Sequence, residues 1–237
     1  MFQRFAVDLD TVLTVAPLAA LFTAIAAAVA GWLRVRRGVR APYTRKTFHF
    51  IILSAALIVQ LRWGLPGTMV YGSVVAAGVL LAVARGAGNP FYEALARDTD
   101  APHRTLFIMI PLATTALGGM LANALFPAWA HVGYMVVAWG DAVGEPVGTR
   151  WGRHRYRVPS LAGVPATRSI EGSSAVLLAS VLAGAIALLA SGTTPPAAAA
   201  AALAIGAGST LVEAASNHGL DNLTIQITAA GIAAALL

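Results

Sequence analysis

The sequence contains no cysteine, a single lysine and only ten acidic residues in 237 positions. The missing cysteines exclude disulfides, thiol catalysis and thiolate metal sites, and they leave the redox compartment unreadable. The lone lysine, Lys46, has no G-x-x-x-x-G-K-[ST] around it, and no G-x-G-x-x-G occurs, so P-loop and dinucleotide-fold sites are excluded as well. Charged residues make up 11% of the chain, hydrophobic residues 58%, and the mean hydropathy is +0.73. That balance is too apolar for a soluble domain of this size.

Apolar runs fill the space that charge leaves. Eight stretches approach the roughly 20 residues needed to cross a bilayer, at about 13–33, 47–61, 66–84, 105–125, 128–148, 172–191, 197–215 and 222–237. The fold expected is an all-α, polytopic membrane helix bundle forming one domain over 1–237. The first run follows Asp8 and Asp10 rather than a basic segment and is too long for a signal-peptide core, so it is expected to remain in the mature protein. Alanine is abundant and fifteen of sixteen basic residues are arginine, a bias ascribed to GC-rich coding.

A net charge of +6 and a pI near 10.5 would suit nucleic acid. The basic residues instead sit in short loops between spans, where they set topology, and no nucleic-acid partner is expected. With the N-terminus outside, the loops at 34–46, 85–104 and 150–168 hold fourteen of the sixteen basic residues, leaving only Arg4 and Arg62 on the other side. The same orientation gathers polar segments near 34–49, 139–173 and 213–224 at the cytoplasmic face. A water-soluble co-substrate and a membrane-embedded one would meet there.

The richest segment runs from Trp139 to Ser173. Asp141 and Glu145 are four apart and share a helix face, where two carboxylates could hold Mg²⁺ together with substrate phosphates. The alternative is an acid pair neutralised by arginines such as Arg150 or Arg168. Pro146 withholds the amide that would bond Ala142 and is expected to kink or end the helix near the polar face. Gly140, Gly144 and Gly148 form a small-residue ridge that suits close helix packing and would also let phosphate approach backbone. Arg150, Arg153, Arg155 and Arg157 are read as a solvated loop.

Arg45 and Lys46 open the second run with His49 one turn on, a set able to bind phosphate or simply to snorkel at the membrane edge. Arg168-Ser169-Ile170-Glu171-Gly172-Ser173 precedes the sixth run, where a helix N-terminus favours anions and Glu171 could equally cap the helix. Glu213 ends an apolar helix and needs a buried partner, while Asp221 is placed as an N-cap beside Asn222.

Together, Arg45-Lys46-x-x-His49, Gly140-Asp141-Ala142 with Gly148 and Trp151-Gly152-Arg153-His154, Arg168-Ser169-x-Glu171-Gly172-Ser173, and Glu213 with Asp221-Asn222-Leu223-Thr224 resemble the phytol kinase and dolichol kinase family, over about residues 40 to 237. The resemblance implies a CTP-dependent kinase acting on a membrane alcohol such as phytol, a polyprenol (dolichol) or diacylglycerol. It implies a nucleotide site from Arg45, Lys46, Asp141, Gly144, Gly148, Arg168, Ser169, Gly172, Asp221 and Asn222. Mg²⁺ is expected on Asp141 with Glu145 or Glu171, and Asp141, Lys46, Glu171 and Glu213 are the candidate catalytic groups, with Asp141 or Glu213 taking the hydroxyl proton. Where the family commonly has lysine, this chain has Arg168.

Two rivals remain at this point. Pro165-Ala-Thr-Arg-Ser-Ile-Glu-Gly also resembles phosphatidate cytidylyltransferases, but Asn217-His218-Gly219-Leu220-Asp221-Asn222 departs from their His-Gly-Gly core. A transporter or membrane scaffold would also carry intramembrane acids, though here they gather on one face rather than at the midplane. The enzyme is expected in a bacterial cytoplasmic membrane, among membrane lipids, with its active face toward the cytoplasm.

Overall fold

The computed structural model describes residues 6–217 and 219–237, so Arg4 and His218 lie outside the described residues. Nine α-helices are found among the described residues: α1 Leu9–Arg37, α2 Ala41–Arg85, α3 Pro90–Leu95, α4 Leu106–Leu125, α5 Ala130–Val136, α6 Ala142–Trp151, α7 Ile170–Ala190, α8 Pro195–Ala215 and α9 Asp221–Leu236. A π-helical turn, Val137–Asp141, joins α5 to α6, and one hairpin, β1 Arg155–Leu161 with β2 Val164–Ser169, precedes α7.

The all-α membrane bundle expected from the sequence is the fold observed. Among the described residues five helices, α1, α2, α4, α7 and α8, are long and apolar enough to cross a membrane, fewer than the eight runs drawn from hydropathy. Much of the difference lies in α2, whose Gly64 adopts φ 60°, ψ −153°, a conformation essentially restricted to glycine. Tyr71 Oη donates to the carbonyl of Ile52 at 2.8 Å. Those residues would stand about 28 Å apart along a straight helix, so α2 is a hairpin and carries the second and third runs on its two arms. The fifth run is divided among α5, the π turn and α6, and α9 is only 16 residues long.

Packing inverts the soluble pattern. Ala19, Ala26, Ala30, Ala183, Ala187, Ala201 and Ala229 are buried, whereas Leu178 and Leu211 are 72% exposed. Lipid solvates leucine as well as a protein core does, so small residues go inside, where they let helix backbones approach. The abundance of alanine therefore has a packing cause beyond coding bias.

The glycine ridge follows the same logic against α7. A Cβ on Gly144 would lie 2.7 Å from Val176, and one on Gly172 would lie 2.9 Å from the Gly144 carbonyl. The helix break falls at the π turn rather than at Pro146, which α6 passes through to Trp151.

Arg155 and Arg157 are exposed as expected, but on a strand rather than in a loop; they lie on β1, paired with Ser169 and Thr167. Ala162 and Gly163, at φ 51° and 73°, make the two-residue turn whose twist suits a hairpin. Tyr156 and Ser173 hydroxyls, 2.7 Å apart, tie the hairpin to α7.

Candidate active site

The polar segments converge on one cavity of about 560 Å³. Arg40, Arg45 and Lys46 enter from the start of α2, Arg97 and Asp100 from the segment after α3, and Asp141, Gly144, Glu145 and Gly148 from the π turn and α6. The hairpin and α7 add Arg155, Arg168, Ser169, Gly172 and Ser173, and Glu213, Ser216 and Asp221 close the far wall.

Two ion networks line it. Lys46 Nζ donates to Asp141 Oδ2 at 2.6 Å and lies 4.0 Å from Glu145; His49 Nε2 stands 3.4 Å from the same Asp141 oxygen and 3.1 Å from the Val137 carbonyl. Arg97 donates to Glu145 at 2.8 Å and to Asp100 at 2.9 Å. Burial works against the Arg97 charge, but the Glu145 and Asp100 carboxylates outweigh it and hold its pKa above the ordinary value. The acid pair is thus neutralised by Lys46 and Arg97, not by Arg150 or Arg168.

Arg168 organises the second network. Its guanidinium pairs with Glu213, donates to Asp221 at 2.7 Å and reaches the Ser216 carbonyl at 3.1 and 3.2 Å. A planar fork can serve three acceptors at once in this way, whereas an ammonium offers no fixed plane. Asp221 is accordingly the first residue of α9, with Leu220 before it, and not the expected N-cap. Glu213, 2% exposed, keeps one carboxylate oxygen without a partner among the described residues, as Arg45 keeps one terminal nitrogen.

Two residues expected here are elsewhere. Glu171 turns away to accept from the His154 ring at 2.7 Å and its amide at 3.3 Å, so it does not join Asp141 and Glu145. Asn222 does not line the polar cavity; its side-chain amide faces α4, donating to Thr115 Oγ1 at 2.8 Å. Ser169, by contrast, caps α7 through the Gly172 amide at 3.1 Å while lining the cavity.

No cluster of three acid, imidazole or thiol groups able to hold a metal is present among the described residues. The donor set still fits Mg²⁺ in its usual mode, one or two carboxylates completed by phosphates and water, because Asp141 and Glu145 stand together on the cavity wall. Arg97 was not singled out from the sequence. The dense run Arg97-Asp98-Thr99-Asp100 was its signal, and only the fold shows that it reaches Glu145.

No family model matches the chain, and no solved structure matches it. Among curated proteins it is 32% identical to the phytol kinase of Synechocystis sp. over 196 residues, covering 81% of this chain and 78% of that protein. On that likeness, and with its motifs assembled as described, the chain belongs to the phytol kinase family.

Proposed function

We propose that the protein is a multi-pass membrane kinase that transfers the terminal phosphoryl group of CTP to the hydroxyl of an isoprenoid or related lipid alcohol, with the polar cavity on the cytoplasmic side. The observation that carries this reading is the cavity itself. Arginine and lysine side chains from four separate elements face one space that also holds a carboxylate pair, a combination suited to a polyphosphate with its divalent cation.

Arg45, Lys46 and Arg168 are assigned to the phosphates. Their role is to neutralise charge on the group in flight, because phosphoryl transfer depends on positioning and electrostatics more than on covalent help from the protein. Asp141 and Glu145 would hold Mg²⁺, which when bound supplies further charge neutralisation on the phosphates. Gly144, Gly148 and Gly172 let α6 and the start of α7 pack closely into one wall of the cavity, and Ser169 and Asp221 fix the surrounding backbone and the Arg168 fork. The alcohol oxygen attacks the terminal phosphorus, the bond from that phosphorus to the bridging oxygen breaks, CDP departs, and the hydroxyl proton passes to a carboxylate, for which Asp141 is the candidate. Glu171 has no part in this assignment, since it faces His154.

The test is a panel of nucleotides against alcohols with purified protein in detergent, reading products directly. CDP with a lipid monophosphate is the expected outcome. Pyrophosphate with a CDP-lipid would transfer the protein to the cytidylyltransferase chemistry, and turnover with ATP but not CTP would overturn the nucleotide assignment.

A further inference from the structure

A second cavity, of about 360 Å³, adjoins the polar one and is lined largely by aliphatic and aromatic side chains of both arms of α2 and of α4. Along the first arm of α2 it extends from Arg45 to Ala56, along the second from Leu65 to Val79, and along α4 from Ile108 to Met120. Leu65 adjoins the Gly64 turn, and Arg45 lies about 28 Å of helix rise from that turn. The hydrocarbon core of a bilayer is about 30 Å thick, so the cavity is about as deep as the core.

Two of its polar groups, Arg45 and Asn222, lie beside the polar cavity. Arg45 lines both, with one terminal nitrogen buried and unpaired among the described residues. On α9, Asp221 faces the polar cavity and the next residue, Asn222, faces the apolar one. The Asn222 amide nitrogen donates to the Pro111 carbonyl at 3.3 Å and to Thr115 Oγ1 at 2.8 Å, which fixes the orientation of the group. Its Oδ1 is left buried with no partner among the described residues, on a residue only 2% exposed. An unsatisfied donor and an unsatisfied acceptor beside an apolar chamber are each costly unless a ligand completes them. A hydroxyl group has one acceptor face and one proton to satisfy both.

The apolar cavity also opens sideways. Gly72, Ser73, Ala116 and Met120 line it yet are exposed on the outer surface, between the second arm of α2 and α4. A Cβ at Gly72 would meet nothing within 4 Å.

We infer that this cavity is the acceptor chamber, taking a single-chain isoprenoid alcohol no longer than the bilayer is thick through the Gly72/Ala116 opening and holding its hydroxyl between Arg45 and Asn222. The inference rests on the alcohol-kinase reading and adds to it the site and the length class of the substrate. Arg45 contacts hydroxyl and phosphoryl group alike, whereas Asn222 is a positioning residue for the alcohol rather than part of the nucleotide site.

The test pairs labelling with kinetics on the full-length protein in detergent. A diazirine-bearing analogue of phytol should crosslink to chamber residues such as Ile52 and Met69, and excess phytol should compete it away. Gly72→Phe, which fills open space rather than displacing neighbours, should raise the KM for phytol by about tenfold through lost methylene burial and leave the KM for CTP unchanged. Asn222→Ala should show the same split. Labels confined to outward leucines such as Leu178 and Leu211, or a Gly72→Phe enzyme with wild-type KM for phytol, would overturn the chamber. Equal kcat/KM for phytol, diacylglycerol and a long polyprenol would overturn the length assignment. Labelling does not depend on turnover: chamber adducts in a protein that phosphorylates no alcohol would remove the kinase reading and leave a lipid-binding chamber.

Discussion

Replacing Lys46 with methionine should separate what its charge does for the fold from what it does for the reaction. The ammonium lies 2.6 Å from Asp141, and the two side chains are 9% and 5% exposed. At an effective dielectric constant near 20, the attraction at that distance is roughly 6 kcal/mol before desolvation is subtracted. Desolvation of two buried ions offsets most of this, so the pair as a whole contributes little net stability; removing one partner is different, because it strands a buried charge at a cost of about 3–5 kcal/mol. Lys46→Met leaves Asp141 with His49 at 3.4 Å, while Asp141→Leu leaves Lys46 with Glu145 at 4.0 Å, so both single variants should lose stability in that range or somewhat below it. The double variant Lys46→Met/Asp141→Leu strands nothing and should return to within about 2 kcal/mol of the wild type.

Equilibrium unfolding of the four proteins in mixed SDS micelles measures the coupling, and the product assay is run on the same samples. Turnover should stay about a hundredfold or more below wild type in all three variants, including the stable double, since charge neutralisation at the phosphates is lost. A double variant as unstable as the two single effects added would refute the buried-pair argument. A Lys46→Met enzyme with wild-type turnover would refute the assignment of Lys46 to the phosphates.

Other outcomes follow from the same geometry. Arg168→Lys should lower stability by about 1–3 kcal/mol, because a point charge cannot hold Glu213, Asp221 and the Ser216 carbonyl together; the same unfolding assay reports it. Chelation of divalent cations should abolish transfer, with Glu145→Gln shifting the Mg²⁺ requirement upward and Glu171→Gln leaving it at the wild-type value, read from activity against free Mg²⁺. Gly144→Leu should cost about 1–3 kcal/mol or block folding, since Val176 already stands 2.7 Å from where a Cβ would be, and thermal aggregation in detergent checks it. Gly64→Ala should cost about 1–3 kcal/mol through a strained backbone at the α2 hairpin, measured in the same way.

Hydropathy made the bundle legible because a bilayer imposes one length on every span, whatever the fold inside it. The α2 hairpin was legible too, as two short runs either side of Arg62-Trp63-Gly64-Leu65, although the helix runs up to Gly64 on both sides rather than giving way to a longer loop. What hydropathy could not carry is which apolar residues face protein: many alanines are buried and many leucines face outward, so the amphipathic signal of a soluble helix is weak. The β hairpin escaped for a local reason. Its first strand, Arg-Tyr-Arg-Val-Pro-Ser-Leu, alternates weakly and contains a proline, tolerable because each strand of a two-stranded sheet is an edge.

Site chemistry divided along similar lines. Lys46, Asp141, Arg168 and Glu213 stood out because each is expensive at a membrane boundary without a partner, and the partners proved to be one another, with Asp221. Glu171 stood out on the same ground, yet the hairpin that brings His154 back to it was not foreseen, and a surface imidazole removes it from the cavity. Membrane cost thus selects charged residues that must be paired, but it is silent on whether the pair faces a ligand.

That distinction gives the unpaired atoms more weight than the paired ones. Lys46, Arg97 and Arg168 have protein partners, so their presence alone is compatible with a purely structural network. Arg45 and Asn222 each keep a buried polar atom without a partner among the described residues, and Arg45 does so where a polar cavity meets an apolar one. A phosphoryl acceptor that lives in lipid and a donor that lives in water must share one boundary without either entering the other's solvent. On the proposed reading, Arg45 stands at that boundary because a guanidinium can face a phosphate and a hydroxyl from one position while its stem stays in hydrocarbon.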